Sequence, residues 1–375
     1  MSILINIFKL HLKVVYFFLK LLPTNSKKIL LISRQSNEKS IDFILIEEYI
    51  KKEHSDYKTV IITKKIEKKI LSILSFYFNI YKQMYHLATS KTCLIDTYVI
   101  PVSILKHKRK LLIIQLNHGI GNVKQFAKQI LKKESGKNEK ISRLMNMHEG
   151  YDYVISTSKE VSEFYAKAYN MPSNKMVNFG PPKIDYILNV HTKKNEVLKK
   201  YPNIKNKPVI LYVSTFRTYD DDYLDKFIEA LPLDKYNIIM HLHPMIYELH
   251  PELDEKININ GVYRCKDILT VDLLSIADYA ITDYSSFMFE SAIIEIPTYL
   301  YVSDYDKYTE KNGLNFDIWK ELSGCVYKDA SKLFDDIINQ KYQKKVLQDF
   351  RDKYIENYRG NSTELLVEFM LKEKK

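Results

Sequence analysis

Three short motifs in this chain carry residue types suited to an anionic substrate. Residues 281–301, ITDYSSFMFESAIIEIPTYLY, read as an apolar strand, an Asp-Tyr-Ser-Ser turn, an amphipathic helix, a proline and a second apolar strand. A hydroxyl-rich turn that opens a helix offers backbone N–H groups without intrahelical partners and the positive end of the helix dipole, and a phosphate satisfies both. Asp283, Ser285 and Ser286 are therefore candidate anion ligands. They are equally the residue types that cap any helix, so the turn alone leaves both uses open.

Two histidines stand where apolar runs end, His118 in LLIIQLNHGIGNVK and His243 in IIMHLHP. After His118 come two glycines, which let the backbone approach a ligand closely while an imidazole that titrates near neutrality sits at the rim. Lys124 occupies the third glycine position of a dinucleotide fingerprint, and no GKS or GKT phosphate loop exists, so neither nucleotide-binding signature is present. His241 and His243, two apart on a strand, would face the same side as a metal pair does, but no third or fourth ligand stands at suitable spacing. His243 then reads as a hydrogen-bond donor to an anion, and no metal or other cofactor is expected.

Such motifs need strands to end at a common edge. Short Ile/Val/Leu-rich runs at 29–32, 60–63, 93–95, 111–116, 153–156 and 175–179 read as buried parallel strands, and lysine-studded segments such as 41–52 and 158–169 read as the helices between them. After Gly180-Pro181-Pro182 and a charged connector the alternation restarts, with strands at 209–214, 238–242, 279–282 and 298–302, and helices from 330 to about 371. The fold class is α/β, with two Rossmann-like domains facing a central cleft in the GT-B-like arrangement. Their expected bounds are 24–204 and 205–375, preceded by an amphipathic segment at 1–23.

At 375 residues with 46% hydrophobic content the chain has enough apolar surface for two cores. Its three cysteines, Cys93, Cys265 and Cys325, form no short-spaced pair, which suits a reducing compartment. The basic excess is concentrated at the front, where residues 1–150 hold 27 Lys+Arg against 11 Asp+Glu. A surface of that sign attracts anionic lipid, a polyanionic polymer or nucleic acid. Few aromatics interleave with the lysine runs, which argues against nucleic acid as the partner.

The first 22 residues, MSILINIFKLHLKVVYFFLKLL, have Val14 to Leu19 as their longest unbroken apolar run, short of the ~20 residues a span requires. No small-residue cleavage site follows them. They read as a helix in the membrane interface with its lysines toward headgroups, or as a first helix packed on the protein itself.

The set NHGIGNVK (117–124), FGPPKID (179–185), LYVSTFR (211–217), HLHP (241–244) and ADYAITDYSSFMFESAIIEIPTYLYVSDYDKY (277–308) resembles the CDP-glycerol glycerophosphotransferase family of teichoic acid and capsule synthesis. The resemblance runs over roughly residues 90 to 320, and its most specific part is the TDYSS-x-MF core with the downstream proline and D-x-x-x-Y tail.

It implies His118 as the base that deprotonates an acceptor hydroxyl, with Gly119 beside it, and His243 as a phosphate ligand, these two histidines being the catalytic pair. It implies Asp283, Ser285 and Ser286 around the donor pyrophosphate, with Arg217, Lys183 and Glu290 as further substrate contacts. Departures are the loop after His118, where the family has HGTPLK, Glu290-Ser291 in place of an Asp-Phe pair, and His241 where a lysine or arginine is common.

The expected function is transfer of glycerol phosphate from a CDP-polyol to a lipid-linked or polymer acceptor at the cytoplasmic face of the membrane, as a peripheral protein on anionic lipid. The alternatives are a CDP-ribitol enzyme, a GT-B glycosyltransferase using a nucleotide sugar, and a non-catalytic protein that binds anionic lipid or nucleic acid.

Overall fold

The computed structural model describes residues 2–65, 70–217, 222–356 and 359–373. Continuous apolar runs bounded by turn residues become strands buried on both faces, as parallel sheets require. The first sheet holds β1 (Asn25–Ser33), β2 (Lys58–Thr63), β3 (Ser90–Ile95), β4 (Leu112–Gln115), β5 (Tyr153–Ile155) and β6 (Met176–Val177), in the order β2-β1-β3-β4-β5-β6. The second holds β7 (Val209–Val213), β8 (Asn237–His241), β9 (Val262–Tyr263), β10 (Tyr279–Thr282), β11 (Thr298–Tyr301) and β12 (Val326–Tyr327), in the order β12-β11-β10-β7-β8-β9. Every pairing among these strands is parallel.

Each order reverses once. In the second sheet the reversal lies between β7 and β10, the strand order of doubly wound dinucleotide folds. In the first it lies between β1 and β3. Ligands of open parallel sheets bind beyond the carboxyl ends of the strands at such reversals.

Strand β7 shows how the second sheet is covered. Ile210 and Tyr212 enter one buried cluster with Phe227, Ile281 and Phe334, while Val209, Leu211 and Val213 enter another with Val190, Val197 and Phe287. The period-2 alternation thus fills both faces.

The chain divides into two compact units. One comprises Met1–Ile120, Phe126–Asp185 and Asn357–Lys375, and the other Gly121–Gln125 with Tyr186–Glu356. The division falls near 185 and not at the expected 204/205, because Val190, Val197 and Ile204 of the charged connector pack on the second sheet. The closing helices also part company. Ser362–Lys372 returns to the first unit, where Leu366, Val367 and Met370 join the core of β1, β3 and β4.

The helix after the Ser-Ser turn, Phe287–Ile293, is not amphipathic as expected, for all seven of its residues are buried. The first helix, Ser2–Leu19, is two-faced. Leu12 and Tyr16 are buried, Tyr16 hydrogen-bonds His107 at 2.8 Å, and His11 bonds Tyr81 at 2.8 Å. Leu10, Val14 and Phe17 remain 51–63% exposed. Lys9 turns inward and donates to the Leu144 carbonyl and to Asn146 Oδ1, which corrects the expectation that it faces headgroups. With a mean hydropathy of 1.6 the helix is apolar enough to cross a membrane. Its 18 residues reach about 27 Å, short of the ~30 Å hydrocarbon core.

Candidate functional site

In the first unit, His118 lies three residues beyond β4, and its side chain is exposed. The loop that carries it is held at Asn117 and at the Gly119 and Ile120 carbonyls. Asn117 turns the chain in the left-handed region, φ 63°, which Asn tolerates better than most residues, and its Oδ1 accepts from the Tyr169 hydroxyl. Tyr165 donates to the Gly119 carbonyl at 3.5 Å and Thr157 to the Ile120 carbonyl at 3.1 Å. Burial pushes both tyrosine pKa values up, so these hydroxyls stay protonated donors. The result is a fixed backbone that carries an exposed imidazole.

The second glycine of this loop has another use than the one expected. A Cβ on Gly121 would lie 2.4 Å from the Phe289 ring, so the missing side chain admits a neighbour from the buried helix and not a ligand. Gly121–Gln125 belongs to the second unit, where Gln125 donates to Gly313 O at 3.0 Å and Asn315 to Val123 O at 2.8 Å. This docking brings Lys124, half-buried, toward Asp283 and Arg217. Burial lowers its pKa, Arg217 lowers it further, and Asp283 opposes both. Lys124 is a cation that motif reading passed over, since it registered only as a failed glycine.

At the β7/β10 reversal the Asp-Tyr-Ser-Ser turn separates into a buried and a presented half. Thr282, Asp283 and Tyr284 are 0% exposed, while Ser285 and Ser286 are half-buried. Ser285 Oγ accepts from Phe287 N at 3.3 Å, and Ser286 occupies the helix-capping position without a side-chain cap bond. Asp283 does not cap the helix. Both its oxygens accept from Thr215 N, at 3.0 and 2.9 Å, and Oδ2 takes Arg217 Nη1 at 2.8 Å.

Arg217 is equally committed. Its Nε donates to Asp304 Oδ2 at 2.6 Å and its Nη1 to Thr215 O at 2.8 Å, and the guanidinium lies 4.1 Å from the Tyr223 ring centroid. Burial works against its charge, but Asp283, Tyr223 and Asp304 outweigh it and hold its pKa well above the ordinary value. Tyr284 donates to Asp304 Oδ1 at 3.0 Å and stacks on Tyr308 at 3.7 Å, which gives the D-x-x-x-Y tail its place. Arg217 and Asp283 therefore form a buried ion cluster beneath the turn, where sequence reading expected them to face substrate.

Also in the second unit, His243 is exposed and caps the helix Pro244–Leu249, with Nδ1 accepting from Met245 N at 3.2 Å. That bond leaves the proton of the neutral ring on Nε2. His241 is the last residue of β8 and half-buried, with its pKa lowered by burial, so the two histidines do not share a strand face. Among the described residues no group of three His, Cys, Asp or Glu gathers as a metal site.

The remaining candidates scatter. Glu290 is 5% exposed within the buried helix. In the first unit the Lys183 backbone N–H donates to Asp42 Oδ1 at 2.7 Å. Asp185 accepts from Ser362 N, Thr363 N and Thr363 Oγ1 at 2.6–2.9 Å, capping the last helix.

A family model described as CDP-Glycerol:Poly(glycerophosphate) glycerophosphotransferase matches residues 14–372. The teichoic acid glycerol-phosphate primase of Bacillus subtilis (strain 168) is 28% identical over 386 residues, covering 98% of each chain. The teichoic acid ribitol-phosphate primase of Bacillus spizizenii is 28% identical over 364 residues, 93% of this chain and 92% of that one. Among solved structures, the wall teichoic acid polymerase TagF matches with a TM-score of 0.75 at 19% identity, over 98% of this chain and 96% of that chain. A UDP-GlcNAc 2-epimerase from Neisseria meningitidis matches at 0.62 and 14%, over 92% of this chain and 100% of that chain. These likenesses show a GT-B-like fold.

Proposed function

This chain belongs to the CDP-glycerol:poly(glycerophosphate) glycerophosphotransferase family, and from that premise we propose that it transfers glycerol phosphate from CDP-glycerol to a hydroxyl of a lipid-linked or polymer acceptor in teichoic acid synthesis, releasing CMP. The observation that carries the reading is the turn at the β7/β10 reversal. It buries Asp283 and Tyr284 as structure and leaves Ser285 and Ser286 to meet a ligand.

In this reading the acceptor oxygen bonds to the phosphorus that carries glycerol, the bond from that phosphorus to the CMP oxygen breaks, and the hydroxyl proton passes to His118. Ser285 and Ser286 hold the donor phosphates, His243 donates from Nε2, and Lys124 adds positive charge. Arg217 and Asp283 keep the turn in shape from below. Little covalent work falls to the protein, so positioning and charge stabilisation carry most of the rate. No cofactor is invoked.

A ribitol donor is the second reading, favoured by the ribitol-phosphate primase that matches at the same 28% identity. The apolar outer face of the first helix supports peripheral attachment to the cytoplasmic membrane surface, where a lipid-linked acceptor resides.

The test is to incubate the purified chain with CDP-glycerol, CDP-ribitol and UDP-sugars, each with a lipid-linked acceptor, and to measure the nucleotide released. CMP from a CDP-polyol is expected. Release of UDP from a UDP-sugar, with no CMP from either CDP-polyol, overturns the reading.

A further inference from the structure

The strand reversal of the first sheet, between β1 and β3, has a cavity of its own. A space of about 500 Å3 is lined by Arg34 just after β1, by Thr97 and Tyr98 just after β3, and by Lys137 and His148 from the connection between β4 and β5. Arg34 is set there rigidly. Its Nη1 donates to Tyr98 O at 2.9 Å, its guanidinium lies 5.2 Å from the Phe76 ring and 5.7 Å from the Tyr98 ring, and its Nε is buried with no hydrogen-bond partner. Among the described residues no carboxylate pairs with it. Arg217 has two carboxylates, so the contrast is between an arginine used internally and one kept for something else.

Two connections say what that ligand is. The His148 ring lies 5.5 Å from Tyr169, whose hydroxyl holds Asn117, the residue that aims His118, so the cavity wall and the proposed base share one support. The wall helix Glu139–Leu144 ends at the carbonyl that Lys9 grips from the first helix, whose outer face is apolar. An anion bound at Arg34 therefore sits on the same unit as the reacting imidazole and as an apolar surface suited to an alkyl chain.

We propose that this cavity is the phosphate subsite for the lipid-linked acceptor, with Arg34 as its principal ligand and Lys137 as a second cation. The inference rests on the transferase reading for the identity of the acceptor. A planar guanidinium lining the cavity matches a phosphate oxygen pair, and the low dielectric of a half-enclosed cavity strengthens the contact.

The test measures binding of three probes to the full chain by calorimetry: a short-chain alkyl diphosphate, inorganic diphosphate, and the corresponding alkyl alcohol. Arg34→Gln is expected to weaken the alkyl diphosphate by about 10- to 100-fold while leaving CDP-glycerol binding unchanged. Arg34→Lys, which keeps a donor and a charge, is expected to fall between and to melt like the unaltered chain, which separates a binding loss from misfolding.

Unchanged alkyl diphosphate binding in Arg34→Gln overturns the proposal, as does competition of that binding by CDP-glycerol. Inorganic diphosphate binding as tightly as the alkyl form overturns the assignment to a lipid-linked ligand. If the unaltered chain released no CMP from any CDP-polyol, the transferase reading would fail, and the binding comparison would still decide the cavity.

Discussion

Replacing Arg217 by Gln separates two uses of one arginine. As a donor ligand it would govern affinity for CDP-glycerol, and as the centre of a buried cluster it governs whether the second unit stays folded. The geometry favours the latter, since Arg217 is 7% exposed and lies between Asp283 at 0% and Asp304 at 6%. Removing the guanidinium strands two carboxylates that water cannot reach, and breaking such a buried pair costs about 3–5 kcal/mol. For a unit of this size each kcal/mol lowers Tm by about 2–4 °C, so a fall of about 6–20 °C is expected.

Scanning calorimetry reads the shift, and nucleotide release reads KM below the new transition. Adding Asp304→Asn removes one stranded charge and is expected to recover part of the loss, with a coupling of about 0.5–3 kcal/mol. An unchanged Tm together with a tenfold rise in KM for CDP-glycerol would refute the argument, because the guanidinium would then be spending its charge on substrate.

His118→Ala is expected to lower kcat by about 10² to 10⁴ with the unfolding midpoint unmoved, and near-normal turnover would remove His118 from the mechanism. Exchanging Leu10, Val14 and Phe17 together for Gln is expected to weaken binding to anionic vesicles at least tenfold. Each exposed site should shift stability by no more than about 0.5 kcal/mol, and unchanged vesicle binding excludes this face as the anchor. Asp96 has its pKa raised to about 7, chiefly by burial and secondarily by Asp42. The folded chain keeps that proton between about pH 4 and 7 while the unfolded chain loses it, so this group withdraws stability as pH rises through that window, by up to about 4 kcal/mol. Asp96→Asn should therefore lose less stability than the unaltered chain between pH 5 and 7.5, and parallel curves would exclude the effect.

Strand content was legible where apolar runs are long. The run at 111–116 and the one at 209–214 became β4 and β7 within a residue at each end. Strands β9 and β12 were missed, since two residues carry no periodicity to read. The division near 185 was hidden because Val190, Val197 and Ile204 are thinly spread among lysines, and only packing shows which sheet they serve. At the site, motifs located Ser285, Ser286, His118 and His243 in the chain but not the direction in which neighbours point. Nothing in the letters of LYVSTFR or TDYSS says that Arg217 and Asp283 face each other, and a carboxylate from residue 304 completes the cluster. Gly121 was misread for a related reason, as its partner Phe289 is remote in sequence.

The return of the last helix to the first unit reverses the order in which the protein can be completed on the ribosome. At about 5–20 residues per second, domains usually finish in the order they emerge. Here every residue of the second unit has been made once Glu356 is added. The first unit, begun earlier, still lacks Leu366, Val367 and Met370 from its core and the two N–H groups that Asp185 holds. The nascent chain therefore carries an unfinished N-terminal sheet past synthesis of the entire second unit. Loss of the helix Ser362–Lys372 would injure the half of the protein that was translated first.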